Sequence, residues 1–556
     1  MKTWLLTLAA LAVVFLAIAI FPLSVKAAPK AEPSVTGVTT VKVSGFEIVG
    51  NTAIQSSEII AAINDYIKKN GWQNKPFYAL EDIKTIAAVV TAHYRKKGFL
   101  LANVIVPEQD IKDGIVKLEV IEGSVGNVVI GGGGGSADFS KLKYYKKSYV
   151  EGWFENILGQ SLNEAELERA LLLANDTPGL TAKAVLEKGA ETGKSDVQVK
   201  VEDVPYPVSL TLEYNNEGAK AVSSDRYGVY FAVTDPYFGS TLNVTGFMGD
   251  KLENTEYLGV DYSVPITGTG FRFGVRHIGA DYIVSSGKYV DLGIEGDSDI
   301  LGGYISHSCV RSRAVNLKLT AGYDRKHMFE YMLNTMVSND DLAVAYLRAD
   351  FDNIDRFAGK NLLSFTYSHG IPDFHGSLET SDVQASRLVS GGKFDKYNAE
   401  LARLQKLWKF IFIARAAGQY SQDRLVNPEL FAIGGSSTVR GFPVSSFVGD
   451  SGYAVTAELR VSLPFVSDNT MFGQKLGDML QFAVFFDNGS VKRNTTVLVP
   501  GETKTDDISG AGYGVRINLF DRISVEADLA YPYMHGEFHE RDEEITVRAT
   551  LNVLKF

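Results

Sequence analysis

Few residues of this chain could do chemistry, and the most suggestive is an arginine in a glycine- and serine-rich stretch. Residues 432–447 read AIGGSSTVRGFPVSSF, with Arg440 between Val439 and the pair Gly441-Phe442. A guanidinium presents donors in a rigid fork that takes a carboxylate through two parallel hydrogen bonds. A directional ion pair is therefore the chemistry expected of Arg440, and its partner has to be found elsewhere. Two other clusters are weaker. HGEFHERDEE, residues 535–544, gathers His535, His539 and several acids, but a loop fixes no ligand geometry, so a solvated polar loop is expected. DFDNIDRF, residues 350–357, spaces its acids like a calcium loop yet lacks the glycine and terminal glutamate, and reads as a polar turn. No nucleophile–base set stands out. Neither enzymatic activity, nor a metal, nor a cofactor is expected.

The elements that position Arg440 follow from the rest of the chain. Its 556 residues suffice for several cores. A net charge of −11 without a basic block argues against nucleic acid as a partner. The single cysteine, Cys309, excludes an intrachain disulfide. With 53 glycines and 26 tyrosines, the composition favours strands and turns over helical bundles. At the N-terminus, Lys2 precedes an uncharged run from Trp4 to Leu23, and Val25-Lys26-Ala27 fits cleavage after Ala27. Residues 1–27 are expected to be a signal peptide and 28–40 a short linker. No later segment reads as a transmembrane helix.

From Val41 the pattern runs twice through β-α-α-β-β. In the first copy, residues 41–122, the strand VKVSGFEIVGNT leads to a helix with Ser56 or Ser57 as N-cap. A second helix ends in basic residues and Gly98, and two strands follow. The second copy, 123–204, has a helix in YVEGWFENILG and a capping box pairing Ser161 with Glu164 before its second helix. The glycine run after its first strand lacks the helix start and Lys-Ser/Thr of a phosphate loop, and reads as a plain loop.

Beyond residue 205 the period becomes two. In VSLTLEY, Val208, Leu210, Leu212 and Tyr214 oppose Ser209, Thr211 and Glu213. In YGVRINL, Tyr513, Val515, Ile517 and Leu519 oppose Gly514, Arg516 and Asn518. About sixteen such strands can be placed, among them segments near 313–325 and 342–352. The even count, with long connections mostly after odd strands and tight ones after even strands, points to an antiparallel transmembrane β-barrel spanning 205–556. EITVRATLNVLKF, the last strand, slips phase near Val553, as a bulge would produce, and ends on Phe556. The Arg440 stretch then lies in the longest outer connection, 420–449, read as having no secondary structure of its own. In MLQFAVFFDNG, residues 479–489, lipid-facing Leu480, Phe482, Val484 and Phe486 leave Phe485 and Asp487 pointing inward. Gly512 and Gly514 on the next strand leave a recess. Asp487 is the expected partner of Arg440.

VRGF at Val439–Phe442 and FFDNG at Phe485–Gly489 match the paired signatures of the two-partner secretion transporters of haemolysin and filamentous-haemagglutinin type. The chain resembles that family, part of the superfamily of outer-membrane barrels with POTRA (polypeptide-transport-associated) modules. GFEIVGNT and NDTPGL resemble the family's POTRA segments. The resemblance implies a pore loop and inner-wall lock made of Val439, Arg440, Gly441, Phe442, Phe485, Asp487 and Gly489. It implies outer-membrane lipid around the barrel, POTRA modules in the periplasm, and export of a large unfolded exoprotein without nucleotide hydrolysis. No long plug helix is expected in 28–40, since APKAEPSVTGVTT is a poor helix. Two other roles fit the architecture less well: a barrel assembly factor, which usually has more POTRA units, and a porin-like channel, which needs none.

Overall fold

The computed structural model describes residues 40–131, 142–158, 160–191, 193–204, 206–250, 255–462, 467–495, 503–534, 537–538 and 544–554. The expected signal peptide, the linker up to residue 39, the glycine-run loop, His535, His539 and the terminal Phe556 lie outside the described residues. The chain divides into two compact units. One comprises residues up to Val49, Gln55–Val90 and Val104–Glu119; the other comprises Gly50–Ile54, Thr91–Asn103 and everything from Val120 onward.

In the first unit, Gly45–Val49 pairs in parallel with the strand Ile115–Ile121. Helix Ser56–Lys69 buries Ile59 and Ile63. Ile83, Ile86 and Val90 of helix Leu80–Lys96 are also buried, as are Val116 and Leu118 of the sheet. This is the expected β-α-α-β-β order with one addition, a small ladder between Thr40–Lys42 and Phe77–Ala79. The N-cap differs from expectation. The cap position is Gln55, which makes no side-chain cap bond, and Ser56 is already helical.

The second unit begins with a module of the same kind. Its sheet has the order Ser124–Ile130, Lys194–Asp203, Leu180–Lys188. Gly152 shortens the first helix to Lys147–Gly152, with a 3-10 turn at Glu155–Ile157, because glycine costs about 1 kcal/mol inside a helix. The capping box does not form. Asn163 is the N-cap and accepts from the Ala165 N–H at 2.9 Å, while Ser161 pairs with Ser124 in an isolated bridge. The Glu164 N–H that the box needs donates instead to the Gly98 carbonyl at 2.8 Å.

Sixteen antiparallel strands then close into a barrel, from Val208–Asn215 to Glu544–Leu554, the short piece Glu537–Phe538 continuing the last strand's place beside Ile523–Met534. First and last strands pair from Arg548↔Asn215 to Leu554↔Leu210, and a bulge between Asn552 and Leu554 accounts for the phase slip in the sequence. Alternation is clean at Leu480–Lys492, where Phe482, Val484 and Phe486 are exposed and Ala483, Phe485 and Asp487 buried. One stretch read as a loop is strand. Val315–Met332 and Thr335–Ile354 run far past their expected ends to a two-residue turn at Leu333–Asn334. The polar run Asn339-Asp340-Asp341 hid this, and on the folded strand Asp341 is paired with Arg325 across the ladder.

At the end nearest the module, barrel turns bond to it. Arg311 donates to both oxygens of Asp176 at 2.8 and 2.6 Å, and the Asn156 side-chain amide donates to the Gly268 carbonyl at 2.7 Å. The Lys146 N–H donates to the Pro236 carbonyl at 3.0 Å.

Candidate functional site

The connection 422–450 leaves strand Phe410–Ser421 at the end of the barrel opposite the module and folds into the lumen. Contrary to expectation it has structure of its own, a hairpin pairing Phe431–Ile433 with Phe447–Gly449. Beyond this stem the Gly435 N–H donates to the Phe442 carbonyl at 2.9 Å, and Thr438 Oγ1 closes a loop onto the Gly434 backbone. Gly441, at φ +92°, makes the reversal that a side chain would strain. Val439 and Phe442 are buried with Ile433, Ala454, Val491 and Ile508.

Arg440 is thereby delivered to the wall. Its Nε and Nη2 donate to Asp487 Oδ2 and Oδ1 at 2.7 and 3.0 Å, and its own backbone N–H reaches Oδ2 at 3.1 Å. Nη1 donates to Glu458 at 3.0 Å and to Asp528 at 3.2 Å. The guanidinium carbon lies 3.3 Å from the centre of the Phe485 ring, a stacked cation–π contact. Asp487 has no exposed surface and Arg440 is 6% exposed. Burial alone would lower the Arg440 pKa, but the hydrogen bonds and charge of Asp487, with Asp528 and Glu458, hold it above its ordinary value. It stays cationic.

Close approach explains the glycines. A Cβ on Gly489 would lie 2.9 Å from Val439 Cγ2, and one on Gly510 only 2.0 Å from the Arg440 carbonyl oxygen. The recess is centred on Gly510 rather than on the expected pair. Gly512 makes room for the Phe485 ring and Gly514 for the Asp528 and Arg516 side chains. All seven residues named from the sequence come together at this point: Val439, Arg440, Gly441 and Phe442 on the loop, Phe485, Asp487 and Gly489 on the wall.

Sequence reasoning missed the rest of the cluster. Glu458, on Ser451–Val461, also accepts from Arg460 at 2.6 Å and from Arg516. Arg516, on Thr505–Leu519, donates to Asp528 at 2.6 Å. Each lies on the inward parity of its strand, so alternation could have flagged them. Their common height needed the register, in which Glu458 faces Phe485 and Asp528 faces Gly514.

Two more fastenings hold the stem. Glu429, fully buried, is bonded by both Lys326 and Lys396 from the wall. Burial works against its charge, but the two ammonium groups overcome that and lower its pKa to about 2. At the loop's other end Asp450 accepts from Arg387 at 2.7 Å and from the Leu425 and Asn494 N–H groups at 2.7 Å each. Replacing Glu429 by glutamine leaves two lysines facing a neutral group, at a cost of roughly 3–5 kcal/mol if the site stays dry. Limited proteolysis is expected to cut residues 422–430 faster in that variant. An unchanged cleavage rate would show the stem to be held without the ion pairs.

The model of the haemolysin secretion/activation proteins ShlB/FhaC/HecB matches residues 193–517. The chain belongs to this family. A ShlB-type POTRA domain matches residues 41–123. Among curated relatives, the heme/hemopexin transporter protein HuxB of Haemophilus influenzae is 23% identical over 491 residues, covering 87% of this chain and 81% of its own. The outer membrane transporter CdiB of Escherichia coli is 21% identical, over 80% of this chain and 73% of its own. The solved structure of CdiB from Escherichia coli superposes with a TM-score of 0.74 at 17% identity, covering 94% of this chain and 92% of that one. CdiB from Acinetobacter baumannii gives 0.66 at 16% identity, with coverages of 98% and 97%. The protein is thus an outer-membrane member of the two-partner secretion transporters with its POTRA modules in the periplasm. Of the three roles the sequence left open, the family is the secretion one. The module-side turns are periplasmic and the connection 422–450 enters from the cell surface.

Proposed function

We propose that this transporter receives a large exoprotein as an extended chain at its periplasmic modules and passes it through the barrel, with connection 422–450 as the obstruction that must yield. The observation carrying this reading is Arg440, buried in the lumen and bonded to three acids on the Ser451–Val461, Leu480–Lys492 and Ile523–Met534 strands. A loop whose tip is held by an ion-pair cluster beside a small apolar patch is the kind of obstruction that exchange with water and a passing chain can release, because lumenal polar groups find substitute partners there. Among the described residues the sixteen-strand wall is hydrogen-bonded all round.

Binding of an extended chain suits the modules, since strand addition reads backbone rather than sequence. Among the described residues of the second module, the strand Leu180–Lys188 pairs on one side only, with Lys194–Asp203. The test is co-expression with a candidate exoprotein, scoring its appearance in the medium. Deletion of 41–121 is expected to abolish release while ion conductance through the reconstituted barrel persists. Undiminished release would make the first module a spacer.

A further inference from the structure

Charges on the lumenal wall are mostly spent on one another. Arg276 pairs with Asp324 at 2.6 Å and Arg348 with Asp350 at 2.8 Å, while Glu429 takes Lys326 and Lys396. One arc departs from this. Ile354, Leu362 and Leu404 stand on three neighbouring strands, Thr335–Ile354, Lys360–Gly370 and Phe394–Leu407. All three have inward parity, because Arg348, Ser364 and Lys396, an even number of residues away along each strand, meet partners inside the barrel. The ladder sets Ile354 opposite Lys360 and Lys360 opposite Leu404, and Leu362 is the next inward residue along its strand. The three are 51%, 44% and 47% exposed, and the space they meet is the lumen. Beside them, Glu400 on the strand of Leu404 and Arg415 on Phe410–Ser421 also face inward and are exposed. Among the described residues neither forms an ion pair.

This patch lies just inside the periplasmic mouth. Ile354 ends its strand at the turn 355–359, and the second module bonds to the three turns before that one, 235–240, 267–270 and 312–314. Turn 355–359 is bonded within the barrel instead: Arg403 donates to Asp355 at 2.7 Å and Gln405 to the Phe357 carbonyl at 3.0 Å. The patch therefore sits where the arc of module-bonded turns ends. Apolar residues exposed in a polar channel give up burial, and an apolar patch rimmed by polar groups is a place of contact with another molecule.

We propose that Ile354, Leu362 and Leu404 form the first lumenal seat for the exoprotein, taking apolar side chains of a segment that enters extended, with Glu400 and Arg415 above them free to pair with its charged ones. The inference rests on the transport reading above. Position identifies the occupant: the patch lies on the path between the module and the connection 422–450, on the first part of the mouth that the module leaves open. Spacing agrees. An extended chain presents its same-side residues about 6.6 Å apart, and so does the wall, where Leu404, Ala402 and Glu400 follow one another up one strand. A segment laid along the wall can thus seat residue by residue. Apolar contact is non-directional, so the seat holds many sequences in turn and lets each go as the next arrives.

The experiment uses the full chain with a co-expressed exoprotein. Photoreactive benzoylphenylalanine is placed at Leu404, at Leu362 or, as control, at Asn518, an exposed inward residue near the same end of the strand Thr505–Leu519. Illumination during export is expected to crosslink exoprotein at 404 and 362 and far less at 518. Equal crosslinking at all three positions would overturn the seat, since the whole mouth would then line the path alike. Crosslinking of 404 to residues 28–39 of this chain, with or without exoprotein, would also overturn it by naming another occupant. A second arm reads function. Leu362→Ser with Leu404→Ser should lower release about tenfold while the barrel still inserts, and methionine at both positions should restore it. Parent-like release from the serine pair would sink the seat and leave the transport reading standing. No release even from the parent would overturn both.

Discussion

Replacing Arg440 by alanine is expected to stop export of a co-expressed exoprotein while the barrel still inserts. The loss is larger than that of one hydrogen bond, because Asp487 has no exposed surface and would be left buried without its bidentate partner. Removing one member of a buried ion pair costs about 3–5 kcal/mol. At about 1.4 kcal/mol per decade, that lowers the seated-to-free ratio of the loop by roughly two to three and a half orders of magnitude. Lumenal water would soften the figure without reversing it. The barrel strands do not depend on the guanidinium for their own ladder bonds, so insertion, read from heat-modifiable migration, should survive. Arg440→Lys should behave more like alanine than like the parent. One ammonium cannot span Asp487, Glu458 and Asp528 while stacking on Phe485, a geometry that needs a flat fork. Wild-type export from Arg440→Ala would remove the loop from the mechanism.

The parts of this site that alternate are legible in the amino-acid sequence alone. A period of two puts Asp487 on the inner wall whatever the exact strand ends, because shifting both ends leaves parity untouched. The strand count and the long entry loop follow from the same periodicity. What parity cannot supply is height. Glu458, Arg516 and Asp528 face inward by the same rule, yet whether they meet Arg440 depends on the stagger between neighbouring strands, which only the pairing reveals. The stem is hidden for a different reason. Glu429 and its two lysines are 103 and 33 residues apart in the chain, and nothing local marks them as partners. The cap is misread because the Glu164 N–H that a box on Ser161 needs is taken by the distant Gly98 carbonyl, while Asn163 caps the helix through the Ala165 N–H.

Filling the recess separates shape from charge. Gly510→Val keeps every ionisable group of the lock, and valine is at home in a strand. Its Cβ, however, would stand 2.0 Å from the Arg440 carbonyl oxygen, a contact that only movement of the loop can relieve, since the other side is barrel backbone. Overpacking a tight site costs roughly 1–3 kcal/mol where side chains can adjust. Here the obstructing atom is main chain, so the upper end or beyond is expected. The loop should therefore leave its seat with Arg440 and Asp487 both intact. Conductance of the reconstituted barrel should rise and export should fall as in Arg440→Ala. Gly246→Val is the control, because a Cβ there would meet only the Tyr257 carbonyl oxygen at 3.8 Å. If Gly510→Val conducts and exports like the parent, the ion pair alone seats the loop and the glycine recess plays no part. If it conducts more yet exports normally, an open pore is enough for transport, and the lock is a seal between export events and not a step within them.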